Sequence, residues 1–426
     1  MHDIPVNGWI GVDRIPHTRK YPVDLTLIIV LVIALALFFD FTNGFHDTAN
    51  AMATPIATGA MKPKVAVALA AVLNLIGAFL STEVAKTISG GIIREGSGGV
   101  QITPELIFAG LVGAIVWNMV TWLFGLPSSS SHALFGGLIG AAIVGAGIGA
   151  VDFVVVLDKV ILPALIAPVT AGVVAYSATK LAYWITRRYD GRPDGRGGFR
   201  YGQIFSSSLV ALAHGTNDAQ KTMGVITLTL IAAGLQTAGT GPELWVVVSC
   251  ALAIAIGTYS GGWRIIRTLG RGLTEVKPAQ GFAAETSTAA TILASSHLGF
   301  ALSTTQVASG SVIGSGLGRR GSSVRWGTAG RIAIGWLLTL PAAAIVGAVA
   351  ALIAGLGPVG ILVDTVLGVV VVALIFWLSR RNQVHSANAV EPAPVQGQSE
   401  VAASGRAVKI KKVKPLKKER ARKESA

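Results

Sequence analysis

The sequence predicts an all-α polytopic membrane protein built from two repeats, with about 10–12 membrane segments. Three observations carry that prediction. The chain is 52% hydrophobic and only 13% charged, with 52 glycines and a mean hydropathy of +0.62. Soluble domains carry about 25% charged residues, and glycine-rich apolar helices that pack closely are a membrane trait. Uncharged stretches recur at 65–82, 106–151, 160–179, 222–242, 244–263, 286–318 and 332–363. Each has the length of one span, roughly 20 residues, or of a span plus a re-entrant hairpin. Finally, a polar motif buried in this apolar background occurs twice.

In order, residues 1–22 form a polar, Pro-containing leader, so the first apolar run is not expected to be a cleavable signal peptide. The first span starts near Leu25 and reaches Asn43-Gly44, where a helix break is expected. Freed carbonyls at membrane depth are tolerated where the backbone lines a cavity. A half-helix, 45–58, follows; 65–82 is a second span, 83–103 a loop or interfacial helix, and 106–124 a third span. Residues 126–149 are too rich in small residues for a lipid-facing span and are expected to form a re-entrant hairpin, and 160–184 closes the first transmembrane repeat, 23–188. Residues 189–202 form a basic loop; five arginines between Arg187 and Arg200, against Asp190 and Asp194, place it in the cytoplasm. The second repeat covers 203–358, a last transmembrane helix 359–379, and a basic tail 380–426. That tail, with 12 Lys/Arg and 4 Glu, supplies +8 of the net charge of +14. Its composition predicts disorder, and its charge a cytoplasmic position. It is read as a solvated topology anchor, and no nucleic-acid partner is expected. Cys250 is the single cysteine, so no intrachain disulfide forms.

The duplicated motif carries the chemistry. Residues 43–54 read NGFHDTANAMAT and residues 214–224 HGTNDAQKTMG; Gly44 on Gly215 places Asp47 on Asp218 and Met52 on Met223. A hydroxyl cluster follows each copy: Ser128, Ser129, Ser130 and Ser131 in one half, and Ser303, Thr304 and Thr305 in the other. Ser130 lies 83 residues after Asp47, and Thr304 lies 86 after Asp218. Two ordered features at nearly equal spacing mark an internal duplication, which in a membrane protein points first to a transporter.

Pro127 suits the start of a helix, so the serines should sit at a helix N-terminus. Free N–H groups, hydroxyls and the positive end of the helix dipole make an anion site there. One cap needs one hydroxyl, whereas four stand in a row. His132 and Gln306 end the two clusters, each equally readable as a core residue or a ligand. An aspartate inside a bilayer should face a cavity, a partner or an ion. Ionised Asp47 and Asp218 would repel a doubly negative substrate. A proton or metal ion on them removes that repulsion, so the two solutes load together, which is symport.

These residues resemble the inorganic phosphate transporter (PiT) family, whose signature is Gly-Ala-Asn-Asp-x-Ala-Asn-Ala in each half. The resemblance covers residues 24–378 and implies two inverted repeats, discontinuous helices, re-entrant hairpins and import of phosphate with a cation. By motif match it carries over Asp47, Asn50, Asp218, the four serines and Ser303, Thr304 and Thr305 as site residues. Asn217 stands where the signature keeps its asparagine, and Glu285 resembles the family's membrane-buried glutamate.

Two departures bear on the coupling ion: His46 replaces a signature asparagine in the first copy and Lys221 another in the second. They resemble the low-affinity, proton-coupled bacterial branch of the inner (plasma) membrane, which also carries phosphate as a neutral metal complex. Imidazole is a poor ligand for a hard cation, and a charged ammonium has no lone pair. His46 and Lys221 therefore argue for a proton over sodium. The expected ion-coupling set is Asp47, Asp218, His46, Asn217 and Glu285. Lys221 and Asn50 join the hydroxyls around the substrate, and Asp47 and Asp218 are the candidates for any metal. No cofactor is expected beyond the co-transported proton, or a divalent ion moving with phosphate. The expected partners are phosphate, the coupling cation and the bilayer, and a homodimer is one assembly the reading allows. Sodium coupling and another tetrahedral oxyanion such as sulfate are the alternatives. No Gly-x-Ser-x-Gly elbow supports an enzyme.

Overall fold

The computed structural model describes residues 25–91, 102–189 and 198–389. The leader 1–22, the middle of the basic loop (190–197) and most of the tail lie outside the described residues. What is described is helical, with one isolated bridge between Thr274 and Val324 and no strand.

The first half contains α1 (Leu25–Ala57), α2 (Pro63–Gly77), α3 (Glu83–Gly91), α4 (Pro104–Leu123), α5 (Ser130–Ala146), the short α6 (Phe153–Val156) and α7 (Leu162–Tyr189). The second contains α8 (Gly198–Ala232), α9 (Leu244–Ser260), α10 (Trp263–Arg267), α11 (Pro278–His297), α12 (Thr304–Gly318) and α13 (Trp326–Ala354), and α14 (Pro358–Ser379) follows. The expected basic loop therefore ends at Gly198, where α8 begins, and not at 202.

Among the described residues, five helical stretches are long and apolar enough to cross a bilayer: Leu25–Ala57, Pro104–Leu123, Phe153–Arg187, Trp326–Ala354 and Pro358–Ser379. A sixth is counted if α9 and the segment Trp263–Gly272, bent by 58° from it, form one span. The remaining helices are shorter or more polar, which a helix walled off from lipid by its neighbours can be. Leu165, Val173, Leu337, Ile345, Leu362 and Val369 are exposed, as side chains facing lipid would be.

The expected break at Asn43-Gly44 is not there. α1 is continuous, and so is α8 through the matching His214-Gly215. The glycines serve close packing instead: a Cβ on Gly44 would lie 2.3 Å from Ile254 O, and one on Gly215 2.2 Å from Asn74 O. α1 and α8 are thus single rods that carry their motif inside the bundle.

The hairpin also differs from the expected one. Residues 126–149 do not fold back on themselves; α4 and α5 are the two arms, joined by the stretch 124–129. α11 and α12 form the matching pair. The second arms cross over between halves, with α5 lying on α13 and α12 on α7. Both crossings need glycine: a Cβ would come within 1.9 Å of Ala344 O at Gly140 and within 2.0 Å of Gly172 O at Gly314. That exchange brings the start of each hydroxyl helix to the bundle interior.

Candidate functional site

The turn before α5 is set by Gly125, in the left-handed region with φ 64°, and by Leu126 N donating to Thr121 O. Trp336 Nε1 on α13 holds the following Pro127 carbonyl at 3.0 Å. α5 then starts as the Pro-Ser run suggests, with Ser129 as N-cap accepting from His132 N at 3.2 Å. Ser303 caps α12 identically, accepting from Gln306 N at 3.3 Å. One hydroxyl per cluster therefore caps, and the others are free for different work.

Three of those others, from Ser130, Thr304 and Thr305, converge on the two aspartates. Ser130 Oγ donates to Asp47 Oδ2 at 3.3 Å, and Thr305 Oγ1 to Asp47 Oδ1 at 3.2 Å. Thr304 Oγ1 lies 3.3 Å from Asp47 Oδ2 and 3.0 Å from Asp218 Oδ2. It has one proton for two carboxylates. Asn50 Nδ2 donates to both threonine hydroxyls, at 3.3 and 3.1 Å. Lys221, one turn after Asp218, pairs with it and also donates to Leu302 O at 3.1 Å. Ser131 Oγ donates to the same carbonyl at 3.2 Å. His46 Nδ1 stands 2.6 Å from Asp47 Oδ1, and its Nε2 lies 3.4 Å from Ser128 Oγ. Every one of these side chains is at most 7% exposed.

Two expected members sit elsewhere. Asn217 points away from the centre, donating to Ser296 Oγ at 2.9 Å and Phe300 O at 3.4 Å, because the residue before Asp218 falls on another face of α8. Glu285 has its own pocket, receiving Ser206 Oγ at 2.6 Å, Thr54 Oγ1 at 2.5 Å and Gln203 Nε2 at 3.1 Å. A cavity of about 10 Å³ lies between Glu285 and Asn50, close to the minimum that holds one water molecule. His132 and Gln306 are buried with one polar atom each unpartnered, Nδ1 and Oε1.

The structure adds His214, quoted in the motif but given no role by the sequence. Its Nε2 lies 2.8 Å from Asp218 Oδ2 and 3.8 Å from Asp47 Oδ2. Its Nδ1 lies 3.3 Å from Asn74 Oδ1, Asn74 Nδ2 donates to Thr258 Oγ1 at 2.7 Å, and Thr258 Oγ1 donates to Gly44 O at 3.4 Å. If Thr258 donates to the Gly44 carbonyl, Asn74 turns its Oδ1 to His214 and Nδ1 carries the hydrogen. A neutral imidazole would then face the Asp218 carboxylate with a lone pair at 2.8 Å. That contact is repulsive, and a proton on His214 or Asp218 would relieve it. The only sequence signals were a histidine beside a motif glycine and a lone asparagine in an apolar run.

Two carboxylates thus face one ammonium, from Lys221, and one imidazole, from His214, that can take up a proton. The N-termini of α5 and α12 add positive potential. Ligand atoms of Asp47, His214 and Asp218 also lie within 4.8 Å of one another, a spacing that suits a metal ion. A metal on His214 Nε2 and a proton there exclude each other.

A model described as the phosphate transporter family matches residues 43–196 and 186–347. A Mycobacterium bovis protein named probable low-affinity inorganic phosphate transporter is 61% identical over 322 residues, covering 75% of this chain and 76% of that protein. A Rhizobium meliloti protein with the same name is 44% identical over 330 residues, covering 76% of this chain and 97% of its own. Among solved structures, the sodium-dependent phosphate transporter shares the fold, with a TM-score of 0.69 and 23% identity over 78% of this chain and 100% of that one. Two copies of one motif on continuous, glycine-packed helices, closed by two exchanged hydroxyl helices, accord with these matches, and the chain belongs to the phosphate transporter family.

Proposed function

We propose that the protein imports inorganic phosphate across the plasma membrane by symport with protons, through one centre shared by both halves. The observation that supports the proton reading is the bonding chain from His214 to the Gly44 carbonyl, which turns the Nε2 lone pair toward Asp218 unless a proton is taken up there. The donors suited to an anion, from Ser130, Thr304, Thr305 and Lys221, are all engaged by the two carboxylates. Phosphate must compete with those carboxylates for the same hydrogens. Protonating a carboxylate weakens its hold on them and supplies positive charge together with the anion. A centre that admitted a dianion alone would carry two uncompensated charges in a low-dielectric interior. Coupling then follows from charge balance.

The inverted orientation of the halves belongs to this proposal. It is supported by α1 and α8 passing in opposite senses, with Asp47 beside His214 and Asp40 beside Thr222. Alternating access would move the exchanged hydroxyl helices relative to these two rods.

The test is phosphate uptake into proteoliposomes with an imposed pH gradient, with sodium replaced by potassium and sulfate as competitor. Uptake driven by the gradient, independent of sodium and insensitive to sulfate is expected. A sodium requirement with no response to the gradient would favour the sodium-coupled reading. A second reading, metal–phosphate as the cargo, is favoured by the spacing of Asp47, His214 and Asp218. It requires a divalent ion to enter with phosphate in fixed proportion.

A further inference from the structure

Polar residues on α1 continue past the centre in both directions. Asp40, Asn43, Asp47, Asn50 and Thr54 follow at intervals of three and four, so they share one face, and all five are buried. They extend over about 21 Å at 1.5 Å per residue. One end reaches Glu285 through Thr54. The other end is Asp40, and beyond it the same face turns apolar with Ala36, Val32 and Ile29, all buried.

Asp40 is unlike the other acids on this path. It is fully buried, yet neither carboxylate oxygen has a hydrogen-bond partner. Both amide atoms of Asn43 and the hydroxyl of Thr222 are also unpartnered, although Thr222 approaches Asp40. Other titratable groups within electrostatic reach are His214, Asp218 and Lys221 on α8 and Cys250 on α9. Among the described residues no cation pairs with Asp40. A bare carboxylate buried this way loses its hydration with nothing in return, whereas a neutral carboxyl can donate to Asn43 or Thr222 after a small rotation. Nor does the duplicated scaffold account for it. Aligning the copies puts Asp40 on Ala211 and Thr222 on Ala51, so the other half keeps its fold without either group.

We infer that Asp40, with Asn43 and Thr222, is a second proton-holding site, separate from the phosphate centre and one step along α1 from it. Asp40 takes up a proton as a carboxylic acid in one part of the transport cycle and releases it in another. Each uptake neutralises the carboxylate and each release restores its charge. Asn43, one turn toward Asp47 on α1, and Thr222, which approaches Asp40 from α8, are its polar neighbours. This inference rests on the proton-coupled reading above.

The test separates translocation from coupling. Asp40→Asn keeps the shape but cannot cycle a proton. Net uptake driven by a pH gradient should fall by roughly tenfold or more, the scale of losing a proton-transfer group. Phosphate–phosphate exchange at equal internal and external phosphate and pH should stay near the wild-type level. Wild-type net uptake in Asp40→Asn overturns the inference, and equal loss of net uptake and exchange overturns it in favour of a packing role. Should Asp40→Asn fail to insert, Asp40→Glu decides. It should keep exchange and shift the pH profile of net uptake, and an unchanged profile overturns the inference. Wild-type uptake that ignores the pH gradient refutes the proton reading itself, and is distinguished by needing no variant.

Discussion

Replacing His214 with glutamine tests the centre most sharply. The side chain keeps an amide donor and acceptor but cannot take up a proton as the imidazole can. In the wild type His214 Nε2 lies 2.8 Å from Asp218 Oδ2 and 3.8 Å from Asp47 Oδ2. A unit charge about 4 Å away is worth about 4 kcal/mol at an effective dielectric of 20, and breaking a buried pair by removing one partner costs about 3–5 kcal/mol. Taking the lower figure, proton-driven uptake at limiting phosphate should fall by roughly two orders of magnitude, at about 1.4 kcal/mol per factor of ten. Initial rates in proteoliposomes, normalised to inserted monomer, measure this. A milder companion is Asn74→Leu, which removes the acceptor that fixes the His214 tautomer. Leaving the Nδ1 donor buried without a partner should cost about 1–3 kcal/mol. His214→Gln transporting at the wild-type rate, with an unchanged pH profile, would refute the account of a proton taken up at His214.

Other outcomes follow from the same geometry. Asp47→Asn and Asp218→Asn should each abolish uptake while the protein still inserts, because each removes a charge that Lys221 and His214 balance; uptake assays on purified, monodisperse variants check this. The double change Ser130→Ala, Ser131→Ala should raise the phosphate concentration for half-maximal uptake at least about tenfold, since hydrogen bonds to a charged group contribute roughly 1.5–3 kcal/mol each. Ser129→Ala removes only the cap seen at His132 N and should cost about 1 kcal/mol of thermal stability with little change in affinity.

Much of the fold was written in the order of residues. Apolar runs of span length set the helices, and Pro104, Pro278 and Pro358 stand at the first turns of α4, α11 and α14. The repeated Gly-x-x-Asp and its trailing hydroxyl clusters announced two halves and one site, because a charge among apolar neighbours needs a reason that local sequence displays. The pairing of Lys221 with Asp218 was legible for the same reason, as three residues on a helix share a face.

What tertiary structure alone decided concerns contacts between distant segments. Asn-Gly reads locally as a break, yet α1 runs through it, since the adjoining backbone of Ile254 fills the space a side chain would take. Asn217, adjacent to Asp218, leaves the centre because consecutive helical residues point about 100° apart. His214 enters it through Asn74 and Thr258, partners 140 residues away in the chain from His214 and 184 from Asn74. A sequence lists donors and acceptors, but which donor meets which acceptor depends on how α2, α8 and α9 pack. The turn of the His214 ring toward Asp218 follows from that packing and from nothing local.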